Sequence, residues 1–414
     1  MKKIIAALLT LAMLLTAAAA LTGCTAVEAE TASAASETTA ATTTTTTTAA
    51  ADTASAQTSA AASSSGTLAD TSSLFTDRDQ TQTADTSGAV SYTVEDGTDI
   101  TITEAGVYIL SGTASDCTII VNAADEDAKV QLVLDGLHIT NTDAPAIYVV
   151  AADKCFVTTT DSDNSLSVTG AFTADGETNT DAVIFSKADL VLNGVGTLTI
   201  ESTGNGVTSK DDLRVTGGTY VITAAKHGLE GKDSIAVSGG TFTIDAGQDG
   251  LHSENSDDDT LGWVCLTGGS FTITAGDDGI HGTAFVEIDG GTFAITAVEG
   301  IEATYVQIND GTVSISASDD GINASAKSTA YDVVIELNGG EITIVMGSGD
   351  TDAVDANGSI YVNGGVIDIT ASSAFDYDVT GELNGGTVTV NGSQLTEMTN
   401  SMPGGGMGGG HGRG

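Results

Sequence analysis

The chain of 414 residues carries 56 acidic and 12 basic side chains, a formal charge of −44, which disfavours nucleic acid and anionic lipid surfaces as partners. Its 51 glycines and 2 prolines, with Thr, Val and Ile abundant, favour strands and tight turns over helices. That length is ample for a core.

At the N-terminus, Lys2 and Lys3 precede an apolar run from Ile4 to Leu21 and then "LTGC" (Leu21 to Cys24), which resembles the lipobox of bacterial lipoproteins. Residues 1–23 therefore read as a secretory signal peptide rather than a membrane-spanning anchor, with Cys24 as the lipidation site. The expected location is the outer side of the bacterial cell membrane, at the cell surface, with membrane contact through the lipid only. Cleavage removes Lys2 and Lys3 and leaves a charge of −46. Residues 24–88 are almost entirely Ala, Thr, Ser and acids, including seven consecutive threonines from Thr42 to Thr48. Too few large apolar side chains are present to offset the entropy of ordering, and the segment reads as a disordered spacer. Residues 89–392 read as the structured domain, and 393–414, ending in "GGGMGGGHGRG", as a flexible tail.

Within the domain a glycine pair recurs, its second member at Gly218, Gly240, Gly269, Gly291, Gly311, Gly340, Gly365 and Gly386, in steps of 20 to 29 residues. An alternating apolar strand follows each pair (Phe242/Ile244, Phe271/Ile273, Phe293/Ile295) and another precedes it (Ile235/Val237, Val264/Leu266, Val286/Ile288). A third word of acid, glycine and aliphatic residue recurs as "DGLHS", "DGIHG", "EGIEA" and "DGINA", with looser forms "NGVTS", "HGLEG" and "DAVDA". Three short strands in each turn of about 22 residues predict an all-β parallel β-helix of about ten coils. The leucine and asparagine pattern of leucine-rich repeats is missing.

Stacked coils put equivalent residues about 4.8 Å apart. Asp249, Asp278, Glu299, Asp320 and Asp352 then form one column, and Glu230, His252, His281, Glu302, Asn323, Asp355 and Asp376 a second, on the same outward side. Two unit charges at that spacing repel by about 3.5 kcal/mol at an effective dielectric of 20. Such a ladder calls for cations, and oxygen donors suit Ca²⁺ better than Zn²⁺. Candidate metal ligands are Asp249, Asp277, Asp278, Glu299, Glu302 and Asp320, with Asp211, Asp212 and Asp233 as an earlier group. A solvated acidic face is the alternative. His252 and His281 could stack as an exposed pair or take a transition metal, with simple exposure the expectation.

The passage from Ala105 to Val149, "AGVYILSGTASDCTIIVNAADEDAKVQLVLDGLHITNTDAPAIYV", with the later "NGVTSKDDLRVTGG" and "HGLEGKDSIAVSGG", resembles the bacterial surface carbohydrate-binding β-helix family of cellulolytic clostridia. The resemblance covers roughly residues 89–392. It implies a right-handed helix related in shape to pectate lyases, bound calcium, and adhesion to cellulose or pectin-like polysaccharide without cleavage.

Trp263, Phe285 and Tyr305 fall at one outward position, one residue before the inward Val264, Val286 and Val306. Three rings at the coil spacing could receive flat sugar faces, with Glu287 and Gln307 beside them as hydroxyl partners. The other reading places these rings in the core or under a loop. Lys187, Lys210 and Lys232 stack beside Asp189, Asp211, Asp212 and Asp233, where neutralising the acids is favoured over service as a catalytic base. Cys117, Cys155 and Cys265 form no disulfide pattern; Cys117 and Cys155 could meet across early coils, and Cys265 has outward parity. The whole reads as a monomeric, calcium-binding surface lipoprotein that binds polysaccharide without a catalytic residue. The alternatives are a calcium-dependent pectate-type lyase and a structural adhesin.

Overall fold

The computed structural model describes residues 67–348 and 351–400; the signal peptide, Cys24 and the final glycine-rich stretch lie outside the described residues. Among the described residues there is no α-helix, and 34 strands join in one continuous sheet. Every pairing between named strands is parallel except the last, where Thr387–Val390 meets Ser393–Gln394. A strand pairs with its counterpart one repeat later, as in a β-solenoid: Thr219–Ala224 with Thr241–Ala246, then Ser270–Ala275, Thr292–Ala297 and Thr312–Ala317.

The glycine pairs mark the corners. The second glycine of all eight lies at positive φ, from 74° at Gly386 to 114° at Gly240, backbone that an L side chain rarely adopts. Glycines of the acidic word have another cause: a Cβ on Gly279 would stand 2.3 Å from Ile295 Cγ2 and 2.5 Å from the Gly300 carbonyl. There the chain passes too close to the next coil for any side chain.

Inward residues stack in columns. Phe242, Phe271 and Phe293 are in register and buried, with ring centroids 4.4 and 4.9 Å apart and planes within 10°. Tyr220 extends the column at 5.2 Å. Ile244, Ile273 and Ile295 form the neighbouring column as expected. All belong to one core cluster that runs from Val94 to Met398.

Both domain boundaries need correction. Residues 67–88, assigned to the spacer, lie against the solenoid as a strap: Asp79 is fully buried, Asn193 donates to the carbonyls of Asp79 and Thr81, and Gln82 reaches Gly194 and Thr216. These contacts come chiefly from backbone and amide groups, so the strap needs few apolar side chains to dock. At the other end Leu395 donates to the Val388 carbonyl and Met398 is buried, so order continues past Gly392 and covers the last coil.

A Phe271→Ala substitution removes the centre of the aromatic column and is expected to cost about 3 to 5 kcal/mol. Denaturant unfolding is the check, and a loss below about 1 kcal/mol would mean that the column is not close-packed.

Candidate functional site: an acidic and histidine ladder

One face of the solenoid is made by the strands of the acidic word: Ile147–Ala151, Ala182–Ser186, Asn205–Ser209, Leu229–Gly231, Leu251–Ser253, and the first halves of Asp278–Ile288 and Glu299–Ile308. Alternation there turns the aliphatic residue inward, with Leu229, Leu251, Ile280, Ile301 and Ile322 all fully buried, and leaves its neighbours outward. The register places Glu230 beside His252, then His281, Glu302, Asn323, Asp355 and Asp376, the expected second column in full. The first column is also as expected: Asp278 pairs with Glu299, and backbone bonds carry it to Asp249, Asp320 and Asp352. It extends two rungs earlier, through His227 to Asn205, because the Gly228 amide bonds to the Asp249 carbonyl and the Gly206 amide to the His227 carbonyl.

Along the first column a side chain often accepts the amide hydrogen of the next coil's residue. Asn205 Oδ1 accepts from His227, Asp249 Oδ1 from Asp278 at 3.0 Å, and Asp320 Oδ1 from Asp352 at 3.3 Å. The imidazoles cross-link the columns. His252 Nδ1 lies 2.6 Å from Asp249 Oδ2, and His281 Nδ1 lies 2.7 Å from Asp278 Oδ2 and 3.2 Å from Glu302 Oε2. His227, His252 and His281 stack with centroids 4.0 and 4.9 Å apart. Simple exposure does not hold for the histidines, whose side chains are only 14% and 11% exposed at His252 and His281, because the carboxylates draw them against the coil. Lys327, from the long loop after Ile322–Ala324, closes the site with a 2.9 Å ion pair to Glu302. A groove of about 460 Å³ opens over His227, Asp249, His252, His281, Glu302 and Lys327. Asp277 is exposed at its rim.

Proton affinities vary along the ladder, and burial raises that of Asp278 even beside His281. Burial opposes ionisation of Asp249, but hydrogen bonds from His227 and His252 hold its carboxyl well below the usual range. Burial likewise opposes the charge on His281, yet its bonds to Asp278 and Glu302 lift it to about 10, while His281 and Lys327 keep Glu302 low against its own burial. Further along, where imidazoles give way to oxygen, burial and neighbouring carboxylates push Glu299 and Asp320 up to about 7 and Asp355 to about 6. Asn323 lies among these acids, donates to Glu299 at 3.0 Å, and leaves its buried Oδ1 without a partner. Glu299, Asp320, Asn323 and Asp355 thus offer oxygen only.

The earlier acids form a second group. Asp189, Asp211 and Asp212 converge, and burial followed by the Asp212 charge lifts Asp189 to about 6. Asp212 pairs with Arg214 at 2.8 Å. Asp233 instead accepts from Asn255. Lys187, Lys210 and Lys232 do not pair with these acids: Lys210 pairs with Glu230 at 3.0 Å, Lys232 with Asp257 at 2.6 Å, and Lys187 lies over the Tyr148 ring, while Lys154 is the lysine near Asp189, at 3.6 Å.

Trp263, Phe285 and Tyr305 occupy the equivalent outward position as expected, with the first two rings parallel and 5.4 Å apart. Trp263 is half-buried, and the other two rings are closed to solvent. Phe285 is 3% exposed and Tyr305 8%, beneath Leu68, Ala69 and Leu74 of the strap and Tyr331 of the Lys327 loop. Glu287 and Gln307 are fully buried; Glu287 accepts the amides of Leu68 and Ala69, and Gln307 donates to Glu336. Outward parity gave the position correctly, but an apolar strip in water attracts a cover. Cys265, outward beside Glu287, is sealed under the same cover, and Cys117 and Cys155 are free and buried rather than paired.

The described chain is thus a β-solenoid with a carboxylate and imidazole face. The chain belongs to the carbohydrate-binding domain-containing protein family, which matches residues 96–351 and 297–382. It is 35% identical over 126 residues to a carbohydrate-binding domain-containing protein of Acetivibrio thermocellus; that stretch is 29% of this chain, and the chain spans 43% of the relative. It is also similar to a polysaccharide lyase-like protein from C. thermocellum solved as a gadolinium derivative, with a TM-score of 0.42 and 24% identity, covering 73% of this chain and 94% of that one.

The raised acids set a pH dependence when chelator is present. Glu299, Asp320 and Asp355 ionise higher in the folded chain than in the unfolded one, so the stability they contribute is complete below about pH 4 and lost as pH rises through 6 to 7. Asp249 and Glu302 act oppositely, and only below about pH 4. Thermal melting in chelator is therefore expected at a higher midpoint at pH 5 than at pH 8, and the reverse order would contradict these shifts.

Proposed function

We propose that the protein is a non-catalytic, calcium-dependent polysaccharide-binding protein, and that it takes acidic glycans of the pectin type along the ladder face. One contrast carries the reading: two of the three rings of the strip suited to a neutral glucan, Phe285 and Tyr305, are covered, whereas the carboxylate ladder opens onto a groove. Membership of a carbohydrate-binding family supports a glycan as the partner. Against a mature charge of −46 a uronate chain is repelled unless a cation joins its carboxylates to those of the protein. Calcium suits this role because it takes six to eight oxygen ligands from carboxylates, amide carbonyls and water together. Asp278, Glu299 and Glu302 converge closely enough to hold such an ion at the groove, Asp320, Asp355 and the unpartnered Oδ1 of Asn323 continue the oxygen donors along the columns, and Asp189, Asp211 and Asp212 offer a second place for one.

The proposal includes a right-handed solenoid of about ten coils, a lipid on Cys24, and a position on the cell surface with the threonine-rich segment as the spacer. A lyase would need a free base beside the calcium. Lys327, Lys210 and Lys232 are each held in ion pairs, which favours binding over elimination.

The test is pull-down of the full chain with polygalacturonate and with cellulose. Binding to polygalacturonate is expected in calcium, is lost in chelator, and is weakened at least tenfold by Asp320→Asn with Asp355→Asn. Release of unsaturated product would identify a lyase instead. Chelator-insensitive binding would overturn the calcium bridge.

A further inference from the structure

We propose that the histidine end of the ladder is a separate site for one first-row transition ion such as Zn²⁺, held by His227, Asp249 and His252. This inference does not depend on the glycan reading, and it goes beyond calcium because imidazole nitrogen is a donor that Ca²⁺ does not select. Two imidazoles and a carboxylate converge: Asp249 Oδ2 lies 2.6 Å from His252 Nδ1 and 3.2 Å from His227 Nδ1. The Asp249 side chain is 6% exposed and the two imidazoles 14% and 16%, so the donors are held largely out of water. Asp249 is oriented through its other oxygen, Oδ1, which accepts the Asp278 amide, the outer support that metal-binding carboxylates characteristically have.

His227 supplies an independent observation. Its Nδ1 lies 3.3 Å from the Asp249 amide, which donates to it as other next-coil amides donate to the side chains of this column. The same nitrogen lies 3.2 Å from Asp249 Oδ2. With a proton on Nδ1, the ring N–H opposes the amide N–H. Without one, its lone pair opposes a carboxylate oxygen. The single Nδ1 lone pair serves either the amide or an ion, and a cation at the junction of Nδ1 and Oδ2 removes the repulsion between those two atoms in exchange for the long 3.3 Å amide contact. The groove over these residues gives an ion entry and room for water or a ligand atom in its remaining positions.

The test is calorimetric titration of Zn²⁺ into the full chain carrying His411→Ala, stripped with chelator and then saturated with calcium. One saturable event of unit stoichiometry, with protons released, is expected to persist in calcium. It should be lost in His227→Ala with His252→Ala and retained in Asp355→Asn. Should the double variant fail to fold, Co²⁺ added to the otherwise unaltered chain is read by visible absorption, with bands of a nitrogen-ligated ion that Zn²⁺ abolishes and Ca²⁺ does not. Displacement of the zinc event by calcium, its survival without both histidines, or an absence of such bands would overturn the site.

Discussion

Parallel stacking of successive coils at a fixed spacing governs both the core and the surface of this protein. Each inward position meets its own kind above and below, so Phe242, Phe271 and Phe293 become one column and gain close packing from repetition. The same repetition acts against the fold on the outside, where equivalent carboxylates are brought side by side. The amide bonds of the ladder leave no freedom to spread them, since the chain that carries Asp249, Asp278, Glu299 and Asp320 is bonded from coil to coil. The chain answers that repulsion in two ways. Imidazoles and Lys327 sit among the acids at one end, and carboxyls with raised proton affinity appear at Asp278 and, further along, at Glu299 and Asp320.

The covered aromatic strip follows from the same stacking. Trp263, Phe285 and Tyr305 make an outward apolar patch, and the strap and the Lys327 loop close over it. Those two segments have different consequences. The strap seals Glu287 and Cys265 away from ligands, while the loop places Tyr331 on Phe285 and Lys327 at the ladder groove. One loop thus joins the sealed face to the open one, and its position bears on the shape of the groove.

The repeat was legible because glycine at positive φ and paired aliphatic residues are local requirements written once per coil. The columns from Glu230 to Asp376 and from Asp249 to Asp352 could therefore be aligned by counting. His227 and Asn205 were also within reach: "HGLEG" and "NGVTS" carry histidine and asparagine in the acid position of the word, and aligning that position supplies the missing earlier rungs. The strap was not legible. Its docking rests on backbone amides of Leu68 and Ala69 and on Gln82 and Asp79, groups without a periodic signature in a segment whose composition resembles a linker. Burial of the histidines was missed for a related reason, since parity tells which way a side chain leaves the coil but not which carboxylate then holds it.

The central claim is that the stacked acids bind divalent cations in the folded chain. An ion that binds the folded state alone raises the melting midpoint by mass action. The decisive measurement is the thermal midpoint at pH 7.5 as calcium is raised at constant ionic strength. A progressive rise that tracks free calcium and that magnesium does not reproduce is predicted. A midpoint that stays the same from chelator through to millimolar calcium would contradict the account and leave the ladder as a solvated acidic face.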